Sequence, residues 1–200
     1  MSKEFEQLKA AVDAGERVVT LSGVTSTSAK AHIIARLRGE TKKRFAIVAD
    51  SNTDLDVWAS DLSFWSESAI ATIPSFEADP YSGVSPHAET QERRALSLWR
   101  IANGGGGLVV LSARSLIQRT PGVAEIQNLG CELVRDNDIA PEQLVGKLIA
   151  GGYVREDPIF GPGQFSLRGG IIDIWSPDAE QPVRIEFFGD TVDSIRVFDP

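Results

Sequence analysis

The stretch Gly23-Val24-Thr25-Ser26-Thr27-Ser28-Ala29-Lys30 is the part of this sequence that comes nearest to phosphate chemistry. A loop of the form G-x-x-x-x-G-K-[ST] uses its second glycine for close backbone approach, its lysine to reach the terminal phosphates and its hydroxyl to bind magnesium. Here those three positions hold Ser28, Ala29 and Lys30. One helical step turns a side chain by about 100°, so a lysine one residue late points away from the cradle, and the magnesium hydroxyl is lost. Three readings fit: an unusual nucleotide site, a loop that tolerates an anion with little affinity, or a plain strand-to-helix connection. Asp50 ends an apolar run where a magnesium-associated carboxylate would stand, yet Ser51-Asn52 after it is the commoner mark of a helix cap.

Other chemistry-bearing residues are sparse. His32 falls in a helical pattern and His87 follows Ser85-Pro86 in a turn. Neither sits in a nucleophile-elbow or other catalytic string. Cys131, between Gly130 and Glu132 in an apolar stretch, suits a small buried side chain better than a reactive thiolate. Gly104 to Gly107 read as a loop before a strand. A single cysteine excludes an internal disulfide and a thiolate zinc cluster, and two histidines are poor material for a metal site. No catalytic residue and no metal is expected.

The 200 residues are 42% apolar, enough for one large or two small cores. Residues 1–120 hold 14 basic and 14 acidic side chains and residues 121–200 hold 6 and 14, so the whole net charge of −8 belongs to the second part. That balance argues against broad binding to nucleic-acid phosphates or an anionic membrane. No apolar run approaches the roughly 20 residues of a membrane span, and Met1-Ser2-Lys3-Glu4 does not begin a signal peptide. A cytoplasmic chain with no membrane partner is expected. The composition shift coincides with Thr120-Pro121-Gly122, which places a domain boundary between 1–120 and 121–200.

In the first part, β-rich runs alternate with amphipathic stretches. Strands are predicted at Arg17 to Leu21, Arg44 to Ala49, Ala69 to Ile73 and Gly107 to Leu111, with helices over 28–38, 53–65 and 89–101. The expected fold is α/β, a three-layer domain on a parallel sheet, with Trp58, Leu62 and Trp65 as core. The second part is expected to be a smaller α+β domain, with a helix from Pro141 to Ala150 and then an antiparallel meander. Its strands are Phe165 to Arg168, Ile171 to Trp175, Val183 to Phe188 and Val192 to Phe198, the last two forming a hairpin across Gly189-Asp190.

Strand alternation puts Val183, Ile185 and Phe187 on one face and Arg184, Glu186 and Phe188 on the other. Arg168 shares an outward face with Ser166 just before Gly169-Gly170, and the returning strand would bring it near Arg184. Arginine offers a planar fork for carboxylates and phenylalanine fills pockets, so this is an interface-like set. The other use of these arginines is pairing with Glu186, Asp173 or Asp193 across the sheet, which contributes about 0–1 kcal/mol when exposed.

The loop GVTSTSAK, the segment Asp79-Pro80-Tyr81-Ser82-Gly83-Val84-Ser85-Pro86-His87 and the strands QFSLRGGIIDIW and PVRIEFFGDTVDSIRVFD together resemble the N-terminal region of bacterial transcription-repair coupling factors, the Mfd family. That region is similar to the nucleotide-excision repair subunit UvrB, which keeps an intact GxxGSGKT loop and a tyrosine-rich hairpin. Neither is present here: Tyr81 leads within eight residues into the Glu89 to Ile101 helix. The resemblance implies that residues 1–120 are like UvrB domain 1A with a degenerate nucleotide loop (Gly23, Ser28, Ala29, Lys30) that does not bind. It implies that residues 121–200 are like UvrB domain 2 and bind UvrA through Arg168, Arg184, Phe188 and Glu186. It also implies a fragment without hydrolytic activity or cofactor of its own. ATP and magnesium would act in a translocase motor elsewhere in the parent chain, where the contacts to RNA polymerase and DNA also lie, and other domains of the parent would mask the UvrA-binding face. A UvrB-like ATP-dependent DNA-processing module is the alternative.

Overall fold

The computed structural model describes residues 3–78, 81, 83, 85–177 and 179–200. The chain divides into two compact units, Met1–Thr120 and Pro121–Pro200.

The first unit runs α1 (Lys3–Ala14), α2 (Thr27–Thr41), β1 (Phe45–Ala49), α3 (Asn52–Trp65), β2 (Ile70–Ile73), α4 (Ala88–Ala102) and β3 (Leu108–Ser112), then a 3₁₀ turn at Ala113–Ile117. The three strands are parallel in the order β1-β3-β2. Register aligns Ile47 with Val110 and Thr72, so one face of the sheet is built from alternate residues of each strand. On it Ile47, Ala49, Leu108 and Val110 pack with Ala31 of α2 and Leu55 and Leu62 of α3 into one core. Full burial of each large side chain there contributes about 1.5–3 kcal/mol. The free edge of β2 is closed by α4, whose Ser97 Oγ accepts the Thr72 N–H at 3.1 Å.

Several expectations need correction. Arg17 to Leu21 is not a strand: it makes no ladder, and Val18 is 77% exposed. β propensity alone does not make a strand without a partner edge. α1 was not foreseen; it docks on α2 through Phe5, whose ring lies 3.8 Å beneath the Arg36 guanidinium, and through a 3.0 Å Lys9–Glu40 pair. On the opposite sheet face Ala46 and Val48 of β1 are exposed while Ala71 and Leu111 are buried, so the described residues cover that face in part and not as a full third layer. In the Asp79 to His87 string, Asp79, Pro80, Ser82 and Val84 lie outside the described residues.

The second unit runs α5 (Val123–Leu129), α6 (Pro141–Ala150), β4 (Val154–Arg155), β5 (Gln164–Arg168), β6 (Ile171–Trp175), β7 (Val183–Phe188) and β8 (Thr191–Val197). Proline opens α6, where its missing N–H costs nothing. The sheet order is β4-β5-β6-β7-β8. The pairs from β5 onward are antiparallel, but the short β4 runs parallel to β5, so the sheet is mixed rather than a pure meander. Leu144 and Leu148 of α6 pack on Phe165, Ile172, Ile174, Ile185 and Val192 of the inner face. The β5–β6 turn is Gly169-Gly170: Gly169 has φ +58°, and a Cβ on Gly170 would stand 3.1 Å from the Phe187 carbonyl oxygen.

Leu62→Ala should destabilise the first unit by about 2–5 kcal/mol, because it opens a cavity in a side chain that is fully buried. Val18→Ala should shift it by less than about 0.5 kcal/mol. Urea unfolding of the two variants checks both.

Candidate protein-binding face

Several polar groups at the start of α2 are bonded within the chain. Ser26 is the N-cap, its hydroxyl accepting the Ala29 N–H at 3.2 Å and its carbonyl accepting the Lys30 N–H at 3.2 Å. The Ser28 hydroxyl accepts from the Trp65 indole N–H at 3.4 Å, and that indole meets the His32 ring edge-on at 4.4 Å. Trp65 was expected in the core; it is 43% exposed and sits instead against the first turn of α2. Gly23 has φ +83° but no strand precedes it. The strand–loop–helix setting of a phosphate loop is therefore not seen among the described residues. Ser51 caps α3, accepting the Asp54 N–H at 3.0 Å, which accounts for the residues after Asp50. The glycine run ends α4, where the Gly105 N–H donates to the Arg100 carbonyl at 2.8 Å. Cys131 lies half-buried beside the second core, and burial pushes its thiol above the ordinary value against a smaller opposing pull from Lys147.

The outer face of the second sheet is organised differently. Register lines up Ser166, Asp173, Arg184 and Arg196 across β5 to β8, with Arg168, Ile171, Glu186 and Ser194 as the neighbouring row. Arg168 and Arg184 thus meet, and they meet on a carboxylate. Arg184 grips Asp173 with two bonds, Nε to Oδ1 at 2.6 Å and Nη2 to Oδ2 at 2.8 Å. Arg168 Nη2 reaches the same Oδ2 at 2.8 Å, and its Nε stands 3.6 Å from Asp157. The Asp173 side chain is 2% exposed, whereas those of Arg168 and Arg184 are 49% and 30% exposed. Cross-strand pairing and outward display are therefore not alternatives; the same guanidiniums do both.

Around this clasp, Phe198 lies under Arg184 with its ring centre 4.8 Å from the guanidinium carbon. Glu186 accepts from the Ser194 hydroxyl at 2.9 Å and pairs with Arg196, so its carboxylate is engaged within the sheet. Phe188, one step beyond the irregularity between Glu186 and Phe187, ends β7 85% exposed. Arg168, Arg184 and Arg196 are half of the six basic residues of an acidic unit, gathered on one face. Asp173 is among the carboxylates named above as pairing partners of these arginines; Ser194, Arg196 and Phe198 are members of this face that the sequence did not point to.

Burial drives the Asp173 carboxyl upward, but hydrogen bonds from Arg184 and Arg168, together with their charges, outweigh it and hold the group below its ordinary value of 3.8. The same bond raises Arg184. A buried carboxylate with this many charge-assisted donors stays ionised and fixes the arginines around it. Among the described residues there is no group of three or more His, Cys, Asp or Glu that could hold a metal, and no helix long and apolar enough to cross a membrane.

The outer face of the mixed sheet thus holds a fixed cationic cluster, with Phe188 exposed at the end of β7, an arrangement suited to contact with another protein. The family described as the UvrB interaction domain matches residues 131–200. Over 99% of its length the chain is 33% identical to a transcription-repair-coupling factor of Myxococcus xanthus and 30% identical to that of Bacillus subtilis, covering 17% of each. Over 92% it is 32% identical to that of Mycobacterium bovis, covering 15%. The second unit thus carries a UvrB interaction domain, and the chain as a whole is a relative of the transcription-repair-coupling factors, spanning about a sixth of their length.

Because the folded value of Asp173 is lowered, its contribution to stability is present above the ordinary value of 3.8 and is lost as pH falls through the lowered one. Urea melts of the chain between pH 7 and pH 3 should show this loss, and Asp173→Asn should flatten it while being less stable than wild type at pH 7.

Proposed function

We propose that this chain is a recruitment module of a transcription-repair coupling factor, which binds the excision-repair subunit UvrA through the outer face of its second unit and hydrolyses no nucleotide itself. The observation that carries this is the pair of guanidiniums held on Asp173 yet left partly exposed on the outer face whose β7 ends in the exposed Phe188. Such a cluster needs no further folding to bind, so less entropy is lost on association. The cationic residues give a local attraction for carboxylates that the acidic unit otherwise lacks, and Phe188 supplies apolar area. Glu186 acts in this reading by holding Arg196 and Ser194, with its own carboxylate turned to the sheet.

The relatives' name and the match to the UvrB interaction domain support a place in excision repair in the bacterial cytoplasm. Translocation on DNA, contact with RNA polymerase and masking of the face by other domains belong in this proposal to the rest of a longer parent. The nucleotide-dependent alternative finds no support in the loop at Gly23 to Lys30, where the Ser26 hydroxyl takes the Ala29 N–H and the Ser28 hydroxyl takes the Trp65 indole N–H.

Charge reversal tests the face. Arg168→Glu and Arg184→Glu should each weaken UvrA binding by about 2 kcal/mol or more, measured by pull-down and calorimetry on variants whose melting is intact. Unchanged capture by both would reject it. Magnesium ATP titrated into the chain should give no saturable heat, and saturable binding abolished by Lys30→Ala would restore the enzyme reading.

A further inference from the structure

We infer that Asp173 is a positioning residue for partner capture: buried beneath Arg168 and Arg184, it fixes the direction of the few guanidinium donors left to a partner and so favours one that presents carboxylates end-on. This rests on the outer face being the UvrA-binding surface. Asp173 lies on the central strand of the five, with Ser166 opposite it on β5 and Arg184 opposite it on β7. Its two oxygens take three donors: Oδ1 accepts Arg184 Nε, and Oδ2 accepts Nη2 of both arginines.

The side edge of the Arg184 guanidinium, formed by Nε and Nη2, is therefore occupied, and Phe198 covers a face of its plane. The bidentate side-on grip of arginine on an incoming carboxylate is closed to it. Arg168 commits one N–H of Nη2 to Asp173 and sets Nε near Asp157. No bond from Nη1 of either arginine is seen among the described residues, so both N–H groups of Nη1 and the second N–H of Nη2, the end-on edge, are the donors left to a partner. Both Nη2 nitrogens share one oxygen, which holds two like charges together where they would otherwise repel. Removing that oxygen's charge leaves both arginines present but free to separate, and the partner must then order them at its own expense.

A double-mutant cycle with UvrA reads this directly. Asp173→Asn keeps the volume and one acceptor oxygen, and should weaken binding about tenfold, roughly 1.4 kcal/mol. In an Arg168→Ala/Arg184→Ala background the same change should have no further effect, since Asp173 acts only through them. A purely fold-stabilising aspartate would weaken binding by the same factor in both backgrounds, and that result overturns the inference. Binding that falls in the arginine variants but not in Asp173→Asn overturns it while leaving the face intact; binding unchanged when both arginines are lost removes the face itself. If Asp173→Asn does not stay folded, Asp173→Glu carries the test: the charge is kept but moved by one methylene, so full affinity contradicts positioning and reduced affinity in a chain that melts normally supports it.

Discussion

The second unit depends on one contact, the carboxylate of Asp173 buried under two arginines. An ionised group taken out of water is costly unless charge and hydrogen bonds are returned to it, and here three charge-assisted donors do so. The consequence runs both ways. The arginines keep Asp173 ionised inside the sheet, and Asp173 keeps the arginines still at its surface. Long side chains that would ordinarily be disordered become part of a rigid face in a unit whose remaining charge is strongly negative.

The first unit shows the opposite treatment of polar groups. At the N-terminus of α2, where a phosphate site would need open backbone N–H groups, the Ser26 hydroxyl accepts the Ala29 N–H and the Ser28 hydroxyl accepts from the Trp65 indole. Ser28, Ala29 and Lys30 stand where a phosphate loop has glycine, lysine and a hydroxyl residue. The unit is a parallel-sheet body with a well-packed core on one face.

Much of this was legible in the sequence. The helices α2, α3, α4 and α6 and the strands β1, β2 and β3 follow the apolar periodicity, because each buries one stripe or face. The outward placement of Arg168, Arg184 and Phe188 follows from alternation alone. Arg17 to Leu21 misled because β-branched composition says nothing about whether a partner edge exists. β4 escaped because two residues carry no period, and α1 because only Phe5 of its apolar residues is buried, so it shows no strong core stripe. Trp65 has helical spacing with Leu62 but lies at the last residue of α3, beyond the reach of the sheet. The clasp at Asp173 depends on the joint register of β5, β6 and β7, which no single strand encodes. The sequence offered Asp173 only as one of three carboxylates, with Glu186 and Asp193, that could pair with these arginines across the sheet.

The most direct measurement of the central claim is hydrogen exchange of the full chain alone and with UvrA. Binding through the arginine-bearing face should slow exchange at the β5–β6 turn around Arg168 to Ile171 and at the end of β7 around Phe187 to Gly189, with the first unit unchanged. Protection confined to α2 and α3, or none at the β5–β6 turn, would contradict it.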